Sequence, residues 1–137
     1  DVYKRQKYNE KLKIKSDISD AMELIVDVVK NVAKLKPCEY SIACHIKYVV
    51  KDQNQGFSRI RGENRFISIP LWAYRKGEDY FSYYVCHELS HQFANGFSHD
   101  KKFYKVFKRI CPENIQHFEL EYKPRNAKAA GIKEKTK

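Results

Sequence analysis

Hydrophobic residues near the start of the chain recur every three or four positions, which is the spacing of one face of an α-helix. The series runs to about residue 36, and Pro37 ends it because proline cannot donate the next helical hydrogen bond. Asp17 and Asp20 supply a passable N-terminal cap. We therefore predict a first helix whose apolar stripe packs on the core. Its members are Ile18, Met22, Ile25, Val28, Val29, Val32 and Leu35.

The pattern then changes to an alternation of apolar and polar residues, which is typical of strands with one buried face. A Gly-Glu-Asn sequence at residues 62–64 predicts the turn of a hairpin. Pro70 closes the last strand or marks a sheet edge, because it has no N–H for the ladder. We predict a three-stranded sheet, with strands over residues 40–51, 57–61 and 65–69.

Two further helices follow the strands. Phe81, Val85, Leu89 and Phe93 form an apolar stripe at every fourth position, and no Gly or Pro interrupts residues 78–95. Gly96 is expected to end this helix, and Ser98 to cap a second one. The second helix has an apolar face of Phe103, Val106, Phe107 and Ile110. Residues 115–122 read as a short strand or packed coil. The predicted fold class is α+β, with an N-terminal helix, a three-stranded sheet and two helices after it.

The first of these two helices carries the pattern H-E-x-x-H at His87, Glu88 and His91. Residues four apart lie one turn above each other on a helix, so both imidazoles can reach a single metal ion. Glu88 lies beside them, close enough to reach a water at the metal without binding the metal itself. Two nitrogen ligands and a neighbouring carboxylate suit zinc-assisted hydrolysis. The alternative is an amphipathic helix with two incidental histidines.

A catalytic zinc site needs a third protein ligand, and the fourth position stays open for water. We expect His99 to supply it, from the first turn of the following helix, which folds back towards the first. The alternatives are Asp100, Glu113 and His117. His45 lies on a predicted strand and is expected to be a surface or half-buried residue and not a ligand. The expected cofactor is Zn2+, held by His87, His91 and His99.

These residues resemble a known family. The sequence His87-Glu88-Leu89-Ser90-His91, followed by His99-Asp100-Lys101-Lys102-Phe103, resembles the SprT-like and related short zincin metallopeptidases of the gluzincin type. In these enzymes an H-E-L-x-H helix is followed by a variable turn and H-x-x-x-F. The resemblance covers about residues 17–111, and it lacks the four-cysteine zinc ribbon of some SprT-like proteins. It implies a zincin-like fold and a zinc-dependent peptidase with Glu88 as general base.

In the zincins that this chain resembles, the strand before the active-site helix is an exposed edge that pairs with the substrate peptide. By that resemblance the substrate-binding strand is Arg65-Phe66-Ile67-Ser68-Ile69. An additional donor is expected for the oxyanion that forms on the substrate. Tyr80, Tyr84 and Tyr104 are the candidates, although each can equally be a core or rim aromatic residue.

The net charge of +10 comes almost wholly from the two ends of the chain. Residues 1–15 hold six basic and two acidic side chains, residues 123–137 hold six and one, and the intervening body is nearly neutral. We predict a basic N-terminal extension over 1–15, a zincin-like domain over 16–122 and a disordered basic tail over 123–137. A tail of this kind can simply be solvated, and the more specific interpretation is weak binding to nucleic acid. Residues 1–6 resemble translated adapter sequence and carry no functional argument.

The four cysteines contain no C-x-x-C pair, and nothing resembles a secretory signal or a membrane span. We therefore expect reduced thiols, a cytoplasmic protein and no membrane partner. Cys86 neighbours a ligand but is expected to face the core.

Three functions remain open at this point. The first is hydrolysis of a protein or peptide substrate. The second is a zinc-binding module with no catalysis, and the third is a DNA-associated protease recruited by its basic tails.

Overall fold

The computed structural model describes residues 1–135, apart from the side chains of Pro37, Cys38 and Ser41. Its architecture is α+β, with a long N-terminal helix, a mixed three-stranded sheet and a helical C-terminal half. The α-helices are α1 Val2–Leu35, α2 Pro37–Tyr40, α3 Leu71–Arg75, α4 Glu78–Ala94, α5 Lys101–Ile110, α6 Phe118–Tyr122 and α7 Pro124–Ala129. The strands are β1 Lys47–Lys51, β2 Phe57–Arg61 and β3 Asn64–Pro70, and 3-10 turns cover Ser41–His45 and Glu113–Ile115.

The sheet has the order β1-β3-β2. The predicted hairpin is present, because β2 pairs antiparallel with β3 around residues 62–63. β1 pairs with β3 in parallel on the other side. The prediction that residues 65–69 form an exposed edge is therefore wrong. Both edges of β3 are occupied by neighbouring strands, so its backbone cannot pair with a substrate, and β1 and β2 form the two edges of the sheet instead.

Helix α4 lies between two hydrophobic clusters. Its predicted stripe of Phe81, Val85 and Leu89 packs with α1, β1, β3 and α3 in the first cluster. Tyr83 and Cys86, on another face, pack with α5, α7 and the segment between them in the second. Eleven of the seventeen residues of α4 are buried. The helix that carries the H-E-x-x-H pattern is thus held from two sides, which restricts its movement.

Two expectations for the N-terminal half need correction. The first helix begins at Val2 and not near residue 17, although residues 1–13 are all exposed. Helix α1 therefore extends beyond the core by several turns. Residues 41–45, which the alternating pattern assigned to a strand, form a 3-10 turn. Apolar residues only a few positions apart in sequence can face the core in such a turn as they do in a strand. Ala43 of this turn is fully buried.

The prediction of a disordered tail over 123–137 was also wrong within the described residues. Residues 124–129 form α7, and Ala127 and Ile132 are buried in the second cluster. Lys108 donates a hydrogen bond from its Nζ to the carbonyl oxygen of Ala130. A few small or apolar residues among many charges are enough to fix the segment, because α5 offers them an apolar face. Residues 136 and 137 lie outside the described part of the chain.

Within residues 1–135, no helix has both the length and the apolar character needed to cross a membrane. Cys44, Cys86 and Cys111 are free thiols, the first exposed and the other two buried. The buried position of Cys86 confirms its expected place in the core. The side chain of Cys38 lies outside the described part of the structure.

Candidate metal centre

Three histidines converge in a cleft beside α4. His87 and His91 lie one turn apart on α4, and His99 reaches them from the segment between α4 and α5. One ring nitrogen of each lies within 4.8 Å of the others, and Nε2 of His99 is 3.1 Å from Nε2 of His87. Zinc at about 2.1 Å from tetrahedral nitrogens would hold them roughly 3.4 Å apart. The three side chains are thus close enough together to bind one metal ion.

The Nδ1 atoms of His87 and His91 have partners that fix the tautomers of these two histidines. Nδ1 of His87 lies 2.7 Å from Oε1 of Glu119, and Nδ1 of His91 lies 3.0 Å from the carbonyl oxygen of Gly96. A carboxylate and a carbonyl oxygen only accept hydrogen bonds here, so each Nδ1 must carry the proton. Each Nε2 then presents a lone pair towards the centre of the cluster. This is the state that a metal ligand requires, and the residues present therefore fit a divalent cation.

His99 takes part as expected, but from a different position in the chain. Helix α4 ends at Ala94, and Asn95 takes the left-handed conformation expected of Gly96, with φ of 53°. Asp100, and not Ser98, caps α5, because its carboxylate accepts from the N–H of Phe103. His99 therefore lies just outside the helix. Asp100 is used as a cap, and the described metal cluster contains neither Glu113 nor His117.

The backbone of this segment is held by the C-terminal helix. Nδ2 of Asn126, on α7, donates a hydrogen bond of 2.9 Å to the carbonyl oxygen of His99. The ring of His99 also lies 6.0 Å from that of Tyr122. The segment that was predicted to be disordered thus supports the third candidate ligand.

Glu119 is the residue that the sequence did not reveal. It is fully buried, and its two carboxylate oxygens accept hydrogen bonds from Tyr83 at 2.6 Å and Tyr104 at 2.8 Å as well as from His87. Burial raises the pKa of Glu119, but the hydrogen bonds from His87 and the two tyrosines outweigh it and leave the pKa below its usual value. A carboxylate with this many donors stays ionised.

The pKa values of Glu88, His91 and His99 in the cleft are shifted as well. Burial raises the pKa of Glu88 to about 7, although the nearby His87 opposes the shift. Burial, followed by the positive forms of His87 and His91, lowers the pKa of His99 to about 4. Burial likewise lowers the pKa of His91. Near neutral pH His91 and His99 are therefore uncharged and able to bind a cation, and Glu88 is poised to exchange a proton.

The cleft itself is a cavity of about 340 Å³. One wall is α4, and the opposite side is formed by residues 54–58, which lead into β2. Ser58 Oγ donates to the backbone carbonyl of Glu88 at 2.6 Å and ties the two walls together. The aromatic residues that line the cavity are Phe57, Trp72, Tyr80, Tyr83, Tyr84, Phe97 and Tyr122. The cavity is open to solvent and large enough for a ligand side chain.

The three tyrosines considered as oxyanion donors occupy different places. The hydroxyl of Tyr104 is committed to Glu119 outside the cleft, so that assignment is wrong. Tyr80 and Tyr84 do line the cavity, and the hydroxyl of Tyr84 accepts from the N–H of Gly56 at 2.8 Å. Tyr122 also lines it, with its ring 5.3 Å from that of His87. No local pattern marked Tyr122, because it follows His87 by 35 residues.

The remaining predicted residues lie away from this cleft. Arg65 donates hydrogen bonds to the carbonyl of Gln92 and the side chain of Asn95, so it holds the C-terminal end of α4. Ile67, Ser68 and Ile69 are buried in the body of the protein, and Phe66 is half-buried beside Phe57. Residues 65–69 therefore position the cleft and do not line it. His45 is exposed, as expected.

No protein-family description, no curated protein and no solved structure matches this chain. The case for a function therefore rests on the residues of the cleft.

Proposed function

We propose that this chain is a zinc-dependent metallopeptidase, which hydrolyses peptide bonds with Glu88 as the general base and has a zincin-like fold. The observation that carries the proposal is the convergence of three imidazoles, two of them with fixed tautomers, beside a buried carboxylate in an open cleft. His87, His91 and His99 would hold the ion. When bound, a zinc ion would polarise the substrate carbonyl and acidify a water molecule.

The other groups of the cleft have definite tasks in this mechanism. Glu88 accepts a proton from the attacking water and later donates it to the leaving amine, for which a pKa near the working pH is favourable. Glu119 keeps the proton of His87 on Nδ1 and prevents the ring from turning. Because Tyr122 lines the cleft beside His87, we assign its hydroxyl as a donor to the oxyanion, with Tyr84 as the second candidate.

We assign the pairing of the substrate to strand β2 in place of β3. β2 is an edge of the sheet and supplies Phe57 and Ser58 to the cavity wall. An extended peptide that adds to this edge would run alongside α4 and bring a carbonyl group towards the histidines. Because such pairing uses the backbone, it suits protein substrates of varied sequence in extended form.

The test of the proposal is turnover of an unfolded protein by the purified chain. Wild type with zinc should cleave it, and removal of the metal with a chelator should stop cleavage reversibly. Glu88→Gln should keep the metal and lose hydrolysis. If wild type binds one zinc ion and cleaves nothing, the chain is a zinc-binding module without catalysis. If hydrolysis is undiminished in Glu88→Gln, the general base is another residue.

A second candidate function, recruitment to nucleic acid, is favoured by a basic groove between α5 and α7. Lys101, Lys105 and Lys108 share one face of α5 and line a cavity of about 700 Å³ together with Arg125 of α7. Asp100, the one acid in the described lining, is engaged as a helix cap. A row of cations in a groove suits a phosphate backbone. His99 lines this groove as well as the metal cleft, so nucleic acid bound there would lie beside the site.

Salt dependence of DNA binding tests this candidate. The triple variant Lys101→Gln, Lys105→Gln, Lys108→Gln should bind more weakly, and its plot of log affinity against log salt should be less steep by roughly 2 to 3. A matched control replaces Lys30, Lys34 and Lys47, which are exposed elsewhere. No binding by wild type at low salt, or equal losses in both variants, would reject the groove as the site.

A further inference from the structure

Three aromatic side chains form one wall of the cleft, which we call the aromatic wall. They are Trp72 of α3 and Tyr80 and Tyr84 of α4. The ring of Trp72 lies 6.0 Å from that of Tyr80 and 5.8 Å from that of Tyr84, and the two tyrosines are 6.3 Å apart. Tyr80 and Tyr84 of this wall lie one to two turns before His87 on the same helix. The wall therefore borders the place where the proposed reaction occurs.

The polar atoms at two positions of the wall are already engaged within the protein. Nε1 of Trp72 donates to the carbonyl oxygen of Asn54 at 2.8 Å. The hydroxyl oxygen of Tyr84 accepts from the N–H of Gly56 at 2.8 Å. These bonds fix the orientation of the rings and leave their apolar surfaces towards the cavity. A ligand group that meets the wall finds the π face of Trp72 and the ring of Tyr84, whose hydroxyl proton remains free to donate.

The charges of the cavity lining also favour an apolar ligand group. Among the described residues that line the cavity, Glu88 is the one carboxylate, and none is Lys or Arg. An acidic side chain placed against the wall would lose its water without gaining a partner there, and the cation–π contacts that the rings could offer a basic side chain are already made by Lys76. Lys76 adds a positive charge at the rim, since its Nζ lies 4.2 Å from the centre of the Tyr80 ring. A cationic ligand group is therefore disfavoured most.

The surface around the cleft is unusually apolar. Trp72 is 38% exposed, and other large hydrophobic residues that remain exposed also line the cavity, namely Phe57, Phe97 and Tyr122. Elsewhere in the described chain, the exposed large hydrophobic residues belong to α1. Exposed apolar surface concentrated around a cavity is typical of a binding site.

From these observations we propose that the aromatic wall is a specificity subsite, which takes one large apolar side chain of an extended peptide next to the bond to be cleaved. Leu, Met, Phe or Tyr fits a cavity of this size and lining. Because folded proteins bury such residues, the substrate class is unfolded or partly unfolded polypeptide. The inference rests on the proposed peptidase function, but the binding of the side chain can be measured without hydrolysis.

Trp72 is the only tryptophan of the chain, so its fluorescence reports directly on the wall. The experiment titrates zinc-loaded Glu88→Gln protein with peptides that differ at one position, which is Phe, Leu, Ala, Asp or Lys. We expect the Phe and Leu peptides to change the fluorescence and to bind roughly tenfold or more tightly than the Ala peptide. The Lys peptide should bind most weakly. Equal affinity for all five peptides would overturn the proposal.

Cleavage of the same peptides by the wild-type protein tests the subsite proposal separately from the proposed peptidase function. Cleavage beside Phe and Leu supports both, and cleavage with no preference overturns the subsite while the peptidase function stands. Absence of cleavage together with selective binding would overturn the peptidase function alone. Trp72→Ala should abolish the preference and Trp72→Phe should retain most of it. Tyr8→Ala, which removes an exposed aromatic residue of α1, is the matched control and should retain the preference.

Discussion

The carboxylate of Glu119 lies 2.7 Å from Nδ1 of His87, although 32 residues separate them in the chain. This one contact orients a candidate metal ligand, fixes its tautomer and joins α6 to α4. Tyr83 and Tyr104 bind the same carboxylate, so a single buried charge gathers three side chains from two helices.

Replacing Glu119 should weaken the metal site without emptying it. In Glu119→Gln the amide can still accept from His87, but it has no negative charge and must turn its NH₂ group towards a tyrosine hydroxyl. We expect zinc affinity to fall by roughly 10- to 100-fold, as measured by competition with a chromogenic chelator. Glu121→Gln, a neighbouring change at an exposed position, is the control and should bind zinc like wild type. Equal affinities in the two variants would contradict the role of Glu119.

Hydrolysis should depend on pH through Glu88. Burial raises the pKa of this carboxyl to about 7, and a bound cation would lower it because the ionised form is then favoured. A general base must be ionised, so we expect kcat/KM to rise with pH and to level off at or below about pH 7. Metal content must be measured at each pH, because protonation of the histidines also releases zinc. Faster hydrolysis on acidification below pH 6, with zinc retained, would exclude Glu88 as the base.

Gly56 is required by the close approach of two neighbours. A Cβ atom at this position would lie 2.6 Å from Cε1 of Tyr84 and 2.7 Å from the backbone oxygen of Ser68. Gly56→Ala should therefore push Tyr84 from its place in the cleft and destabilise the fold by about 2 kcal/mol, measured by chemical denaturation. Gly62→Ala provides the comparison, because Gly62 has φ of 59° but no atom within 4 Å of the added Cβ. It should cost about 1 kcal/mol and leave zinc binding unchanged.

The C-terminal segment should contribute to stability. Ile132 is buried against the second cluster, so Ile132→Ala should lower the free energy of unfolding by about 2 kcal/mol or more. Lys133→Ala, at the next and exposed position, should have little effect. If both variants unfold at the same denaturant concentration, the segment is not packed as described.

Tyr122 can be tested by removing only its hydroxyl group. If that group stabilises the oxyanion, Tyr122→Phe should lower kcat by roughly 100-fold with little change in KM or zinc affinity. Tyr84→Phe serves as the comparison, because the hydroxyl of Tyr84 accepts from Gly56 and its own proton is the second candidate donor. A larger loss in Tyr84→Phe than in Tyr122→Phe would assign the donor role to Tyr84.

Local spacing was enough to predict the parts of the site that lie on one helix. The four-residue interval between His87 and His91 determines their relative orientation once α4 forms, and α4 spans nearly the predicted residues. His99 could be inferred because only a short turn separates it from α4. Its exact place was missed, since Asn and Asp at positions 95 and 100 took the capping roles expected of Gly96 and Ser98.

Contacts between segments that are distant in the chain could not be predicted from local sequence patterns. Alternation of apolar residues looks the same in a central strand and an edge strand, so the order β1-β3-β2 could not be deduced. The expectation that residues 65–69 form an edge strand was wrong for that reason. Glu119 lies among apolar residues with no motif around it, and its role appears only when α6 packs against α4. Charge alone suggested disorder after residue 123, because Ala127 and Ile132 are too few to show periodicity.

The burial of α4 on two sides has a consequence for how the domain would respond to a metal ion bound at the three histidines. The helix that carries two of the candidate ligands, His87 and His91, also joins both hydrophobic clusters, so these two side chains keep their relative position while α4 remains packed. Occupancy of the site and integrity of the whole domain then become one cooperative equilibrium. Zinc in excess of its dissociation constant would raise the melting temperature of the entire domain, and metal starvation would expose the chain to degradation as a unit.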